Sequence, residues 1–255
     1  MAKWSNLSKQ LEDIIRLKTR IVGYKKLESA EELEKIEDVS RIKHLFTFGQ
    51  VPFMARVAGL TIGVTRQDPM LGRCMRIHGL KSASEKSMQA EAKDLATTWL
   101  ASPEDGMRQQ EDYPRIPPGE AIVVAPLGEE KFEPDVVLVY GNPAQIMMLM
   151  CGLQKEEYER FTFHFIGEGA CADSLAQCYV TGKPAVAIPC YGERAFGQVA
   201  DDEIIIALPP AYIERAISGL KKLAQIGMQY PIRFLGGESN ISTLLGKWYP
   251  EAFKK

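Results

Sequence analysis

The chain has 255 residues, 45% hydrophobic and 25% charged, enough to bury a substantial core as one large domain or two small ones. With 31 basic and 33 acidic residues its formal charge is −2, which gives no broad positive field to draw in nucleic acid or anionic lipid. The longest apolar run, 146–153, falls well short of the roughly 20 residues of a membrane span. The N-terminal Met1-Ala2-Lys3-Trp4-Ser5-Asn6-Leu7 lacks the apolar core of a secretory signal, so the expected setting is the cytoplasm, with no membrane partner.

In chain order, Leu7, Leu11, Ile14, Ile15 and Leu17 recur at helical spacing and predict an amphipathic helix over 7–17, with Ser5 or Ser8 as its cap. Residues 21–24 read as a short strand and 29–35 as a solvated helix. A helix is expected at 51–59 and a strand at 61–65; the turn-rich 67–74 then puts Cys74 at a loop or helix start. Residues 82–100 predict a helix opened by Ser82 or Ser84. The stretch 102–119 holds Pro103, Pro114, Pro117 and Pro118 and is expected to be a loop, serving as linker or lid.

From there strand and helix alternate. Residues 121–125 and 136–140 are unbroken apolar runs rich in β-branched residues, as in strands covered on both faces. Asn142-Pro143 is a helix opening, followed by a segment apolar all round and hence buried. Strands are expected at 161–166, 185–188 and 203–208, and helices at 170–180 and 210–224. The order predicts an α/β protein with a mixed, largely buried sheet and helices on both faces, carrying the N-terminal helix and the Pro-rich excursion as additions. It reads as a single domain over 1–255, within which an N-terminal subdomain 1–118 and a core α/β part 119–224 can be distinguished.

Five cysteines in a cytoplasmic chain of this size read as thiols, metal ligands or small buried hydrophobes rather than disulfides. Cys74 follows Gly72-Arg73, Cys171 lies in Gly169-Ala170-Cys171-Ala172-Asp173, and Cys190 opens Cys190-Tyr191-Gly192-Glu193-Arg194. Each is expected at the end of an element, where α/β sheets bind ligands. A first-turn position for Cys171 would favour its thiolate through the helix dipole. Cys178 lies two turns further on, and Cys151 reads as core. The competing reading is that all of these thiols simply pack, since there is no C-x-x-C.

His78 follows Cys74 by four residues, the spacing of two ligands on one helix face; His164 reads as a strand histidine, and His44 carries no such signal. No Gly-x-Ser-x-Gly supports a hydrolase. Gly167-x-Gly169-x-x-Ala172, between an expected strand and helix, is a weak dinucleotide pattern in which Gly167 and Gly169 would approach the cofactor. Arg66, Arg73, Arg76 and Arg194 flank the cysteine segments; Arg73, Arg76 and Arg194 are the candidates for holding a small anionic substrate.

The runs Ala125-Pro126-Leu127, Glu133-Pro134-Asp135-Val136-Val137-Leu138, Gly141-Asn142-Pro143-Ala144-Gln145, Gly169-Ala170-Cys171-Ala172-Asp173 and Pro189-Cys190-Tyr191-Gly192-Glu193-Arg194, in this order, resemble domain-of-unknown-function family 169, uncharacterised proteins frequent in anaerobic bacteria and archaea. The resemblance runs from about Leu17 to Leu220. It implies shared cysteines at Cys74, Cys171 and Cys190 but not at Cys151 or Cys178. A further family cysteine, expected near 47–49, is absent here, as is a proline before the first strand. Three thiolates would leave one iron of a cluster open to solvent, substrate or another ligand such as His44 or His78.

The leading expectation is therefore a cysteine-ligated iron–sulfur cluster or single metal ion in a protein of anaerobic metabolism, held by Cys74, Cys171 and Cys190 and acting on a small anionic substrate. One alternative is a non-catalytic module that binds a small ligand or partner, with packed cysteines; another is a dinucleotide-binding oxidoreductase. Whether the protein is an enzyme, and whether it forms a homo-oligomer, stay open. The metal reading requires three sulfurs distant in sequence to meet in one pocket.

Overall fold

A computed structural model describes residues 3–237 and 239–253. Helix α1 (Lys3–Ile15) buries Trp4, Ser8, Leu11 and Ile15 along one stripe and leads into β1 (Val22–Leu27). The short α2 (Ala30–Glu34) and β2 (Val39–Ser40) precede α3 (Gln50–Arg56) and β3 (Thr61–Thr65). Three helices follow: α4 (Gly72–Ile77), α5 (Glu85–Thr98), where Ser84 caps the first turn, and α6 (Pro103–Asp112). Strands β4 (Ala121–Pro126) and β5 (Val136–Gly141) then lead to α7 (Pro143–Glu156). A π-helical stretch, Ala172–Ala176, continues into α8 (Gln177–Thr181), followed by β6 (Ala185–Ala187), α9 (Tyr191–Gly197), β7 (Ile204–Leu208), α10 (Ala211–Gln225) and α11 (Ser242–Trp248). Among the described residues no helix is long and apolar enough to cross a membrane.

The strands form one seven-stranded mixed sheet in the order β2-β3-β4-β1-β5-β7-β6, parallel at β2–β3 and antiparallel at every other pairing. The strands before residue 118 share this sheet with those after it, because β1 lies between β4 and β5: Val22 faces Pro126 on one side and Leu138 on the other. Every residue of β4 and β5 is buried, as the unbroken apolar runs require. The period of two divides the side chains between two cores. Leu138, Tyr140, Ile205 and Ala207 pack with Tyr24, Phe48, Ile62 and Met75 on one face. Val137, Val139, Ile206 and Leu208 pack on the other against α1, α7 and α10, through Leu11, Ile15, Leu149, Leu153, Ile213 and Leu220.

Asn142 and Gln145 close a reciprocal capping box at the start of α7, with bonds of 2.9 and 2.8 Å, and the Gln145 amide also donates to the carbonyl of Ile15. Two expected elements differ. The Pro-rich 102–119 is helical over its first half, because the Ser102 hydroxyl accepts from the Asp105 N–H at 3.1 Å and Pro103 occupies the first turn, where its missing donor costs nothing. The other three prolines lie in the extended passage beyond it, beneath which Gly79 (φ +72°) lets the Pro117 carbonyl approach to within 2.3 Å of where a Cβ would sit. Residues 161–166 make no strand. Phe161 and Phe163 stack at 6.4 Å and pack on the second core, so their alternation is satisfied by burial without sheet pairing.

Candidate functional site

The three cysteines sit where chain segments change direction. Cys74 is the third residue of α4, and the Phe48 N–H donates to its sulfur at 3.5 Å. Cys171 immediately precedes the π-helical stretch. The Ser174 hydroxyl donates to the Ala170 carbonyl at 2.6 Å, and the Asp173 carboxylate takes the Ile166 N–H, so both side chains serve the turn carrying Cys171. Such wide turns recur at functional sites. Cys190 caps the start of α9, directly after the edge strand β6.

These segments enclose a cavity of about 200 Å³. Thr47, Phe48 and Gly49 enter it ahead of α3; Leu71, Arg73, Cys74 and Ile77 come from α4 and its approach. Trp99 closes it from the end of α5, Glu168, Gly169 and Cys171 from the loop before the π-helical stretch, and Cys190, Tyr191, Gly192, Glu193 and Phe196 from the start of α9 and its first turns. Cys74, Cys171 and Cys190 thus line one cavity. Cys178 is buried in the adjoining core, and Cys151 packs on the opposite core, 3.5 Å from the Met147 sulfur. The backbones of α3 and α9 approach closely here. A Cβ on Gly197 would lie 2.5 Å from the Gly49 carbonyl oxygen, and one on Gly49 would lie 3.0 Å from Glu193 Cγ.

Burial pushes the Cys74 thiol up to about 11, opposed by the Phe48 N–H and Arg73. Cys171 is driven well above its ordinary range by burial and then by Cys74, Glu193 and Cys190, and Cys190 is raised by burial and by Glu193. The backbone amides of Glu193, Ala170 and Gly192 face the Cys190 sulfur and favour its thiolate. The three sulfurs lie within one another's fields and, without a bound cation, are thiols at neutral pH. Glu193, also buried, has its carboxyl pushed up to about 7, with Arg56 and Arg194 opposing the burial. Its Oε2 has no hydrogen-bond partner, nor has the buried hydroxyl of Thr47 on the same wall. The neutral forms limit the cost of that burial.

Of the candidate arginines, Arg73 lines the cavity, but its charge is held by Glu168 and by Glu91 at 3.3 Å, with Gln109 at 3.2 Å. Arg76 pairs with Glu91, and Arg194 donates to the carbonyls of Ala200 and Glu203; neither lines the cavity. Arg66 pairs with Glu120. His44 and His164 are exposed. His78 is fully buried against Phe48, its ring 3.7 Å away, and its Nδ1 is 3.4 Å from the Tyr24 hydroxyl. No histidine lines the cavity. Gly169 is on its wall, whereas Gly167 faces open space, and no strand precedes the pair, so the strand–turn–helix setting of a dinucleotide loop is missing. Sequence reasoning did not mark Thr47, Trp99, Glu168, Tyr191 and Phe196 as a site. Tyr191 could have been found by its adjacency to Cys190; a lone Trp99 gives no local signal.

Thiolates with a neighbouring carboxylate suit soft metals and iron–sulfur clusters. Among the described residues no three His, Cys, Asp or Glu side chains converge closely enough to hold one metal ion. A tetrahedral ion with bonds of about 2.3 Å needs sulfurs roughly 4 Å apart, whereas a cluster distributes its cysteines over separate irons and accepts wider spacing. The three thiols line one cavity together with the orphaned Glu193 oxygen, and a lone ion does not fit their spacing.

Residues 10–219 match the family described as DUF169, uncharacterised ArCR. The chain belongs to this family. The match takes in all three cavity cysteines, Thr47, Trp99 and Glu193, and leaves α11 of this DUF169 protein outside it. The chain is also similar to an uncharacterised protein, MJ0308, of Methanocaldococcus jannaschii, with 28% identity over 107 residues, 42% of this chain and 46% of that relative. It thus spans about half the length of the curated relative it matches. No solved structure matches it.

Proposed function

We propose that this DUF169 protein binds an iron–sulfur cluster through the thiolates of Cys74, Cys171 and Cys190, with one iron left without a cysteine and open to the cavity. The reading is carried by one observation: three sulfurs from segments far apart in sequence line a single cavity that also contains an unpartnered buried carboxylate oxygen on Glu193. When bound, a cluster of this kind supplies electron transfer or a Lewis-acidic iron. The protein's part is to hold the three sulfurs, to offer amide N–H groups to Cys190 and Cys74, and to place Glu193 beside them as a proton donor or acceptor. Because the thiols must lose their protons, loading releases protons and strengthens as pH rises.

The test is anaerobic reconstitution with iron and sulfide, read by visible absorption together with total metal and sulfide analysis. Expected is a charge-transfer band with iron and sulfide in comparable amounts, lost in Cys171→Ser. A colourless, iron-free product would overturn it. The second reading, a small-ligand module whose thiols only pack, is favoured by the raised thiols and by the absence of three donors around one ion among the described residues. Alkylation separates the two readings: cluster ligands are protected by iron and exposed by chelation, whereas packed thiols react alike in both.

A further inference from the structure

We infer that the mouth of this cavity binds a flat, uncharged molecule with a largely apolar body and one hydroxyl or N–H group. The inference rests on the proposed site only in taking this cavity as the place of binding, and it is drawn for the iron-free cavity, because a cluster on the three cysteines would take much of the same volume.

The rim is apolar and aromatic. Leu71, Trp99, Tyr191 and Phe196 are 45%, 52%, 65% and 53% exposed, and all four belong to the same opening. They come from separate parts of the chain, the approach to α4, the end of α5 and α9, and the Trp99 and Tyr191 rings lie 5.5 Å apart. Single exposed apolar side chains are ordinary, but several converging on the mouth of one cavity mark a binding surface.

Charge selects against ions of either sign. The guanidinium of Arg73 is neutralised by Glu168 on the same wall and by Glu91 behind it. A charged ligand would be desolvated beside an ion pair that is already matched, and the one unpartnered carboxyl oxygen on the cavity wall, on Glu193, is buried, so a cation would have to shed its water to reach it. The polar demand is small and localised: the buried Thr47 hydroxyl and Glu193 Oε2 lack partners, and one donor on a ligand satisfies an acceptor there. Size fits as well, since an apolar cavity of about 150 Å³ holds benzene. The cavity of about 200 Å³ takes a ring with a substituent, and a second fused ring lies against Trp99 and Tyr191.

The test is calorimetric titration of the full iron-free chain with 2-naphthol, 2-naphthoate and 2-naphthylmethylammonium. Expected is one-to-one binding of 2-naphthol, tighter than either charged isostere. It should be weakened roughly 3- to 10-fold by Trp99→Ala or Tyr191→Ala, the loss of one aromatic contact, and unchanged by Trp248→Phe. Both rim residues are more than half exposed, so their truncation leaves the fold intact. Failure of 2-naphthol to bind, a charged isostere binding as tightly, or indifference to both rim variants would overturn the inference. Binding by protein that refuses iron would remove the cluster and leave this ligand class standing; iron loading of a chain that binds no naphthol when iron-free would do the reverse.

Discussion

His78 is fully buried, and burial depresses its pKa to about 3. The folded ring stays neutral while the unfolded ring protonates near pH 6.5, so its contribution is complete above that pH and is lost as pH falls toward 3. The slope approaches about 1.4 kcal/mol per pH unit. Glu193 and Asp173 act oppositely: burial raises them to about 7 and about 6, so they take up protons earlier folded than unfolded and stabilise the fold over part of the same range. The histidine is therefore read as a difference. Between pH 6.5 and 4 the unfolding free energy of the wild type should fall relative to that of His78→Met, measured by urea denaturation; parallel curves would refute the assignment. His78 also shows how a spacing misleads: four residues after Cys74 suits two ligands on a helix, yet α4 ends at Ile77 and the ring turns into the core against Phe48.

The pairing of α7 with α10 depends on two small residues. A Cβ on Gly219 would lie 1.8 Å from the Gly152 carbonyl oxygen, and one on Gly152 would lie 2.8 Å from Leu220 Cγ. Gly219→Ala should force the helices apart and lower stability by about 1–3 kcal/mol or more, as overpacking does; thermal and urea unfolding would measure it, and a change below about 0.5 kcal/mol, typical of surface sites, would show the contact to be slack. Elements with strong local signals are legible in the residues themselves: α7 from Asn142-Pro143, β4 and β5 from unbroken apolar runs, α10 from its apolar period. The failures share a cause. Pro103 reads as a loop residue until Ser102 is seen capping the helix it opens, and 161–166 alternates like a strand although packing on the second core absorbs Phe161 and Phe163. In both, a tertiary or capping contact outweighed the local pattern.

At the scale of the whole molecule, the element ends carrying Cys74, Cys171 and Cys190 could be read from sequence, but not their meeting, because it depends on a sheet order that joins β1 to strands about a hundred residues later and such antiparallel pairing has no local signature. The aromatic rim was hidden for the same reason, Trp99 being far in sequence from Tyr191 and Phe196. The same distribution of burial separates what the fold needs from what it carries. Both cores are complete by Leu223, with Met228 and Tyr230 packed at the edge of the second, and the Asn142 amide donates to the Tyr230 hydroxyl at 3.0 Å. Beyond Tyr230 no described residue is buried, and α11 buries none. The Trp248 indole donates to the Ile226 carbonyl at 2.9 Å, a half-buried bond whose net worth is about 1 kcal/mol. Deleting residues 231–255 should therefore cost no more than about 1–2 kcal/mol and leave the reactivity of the three cavity thiols unchanged. A loss of cooperative unfolding, or rapid alkylation of Cys171 in the shortened chain, would mean that the C-terminal segment holds the fold together through contacts that its exposure does not reveal.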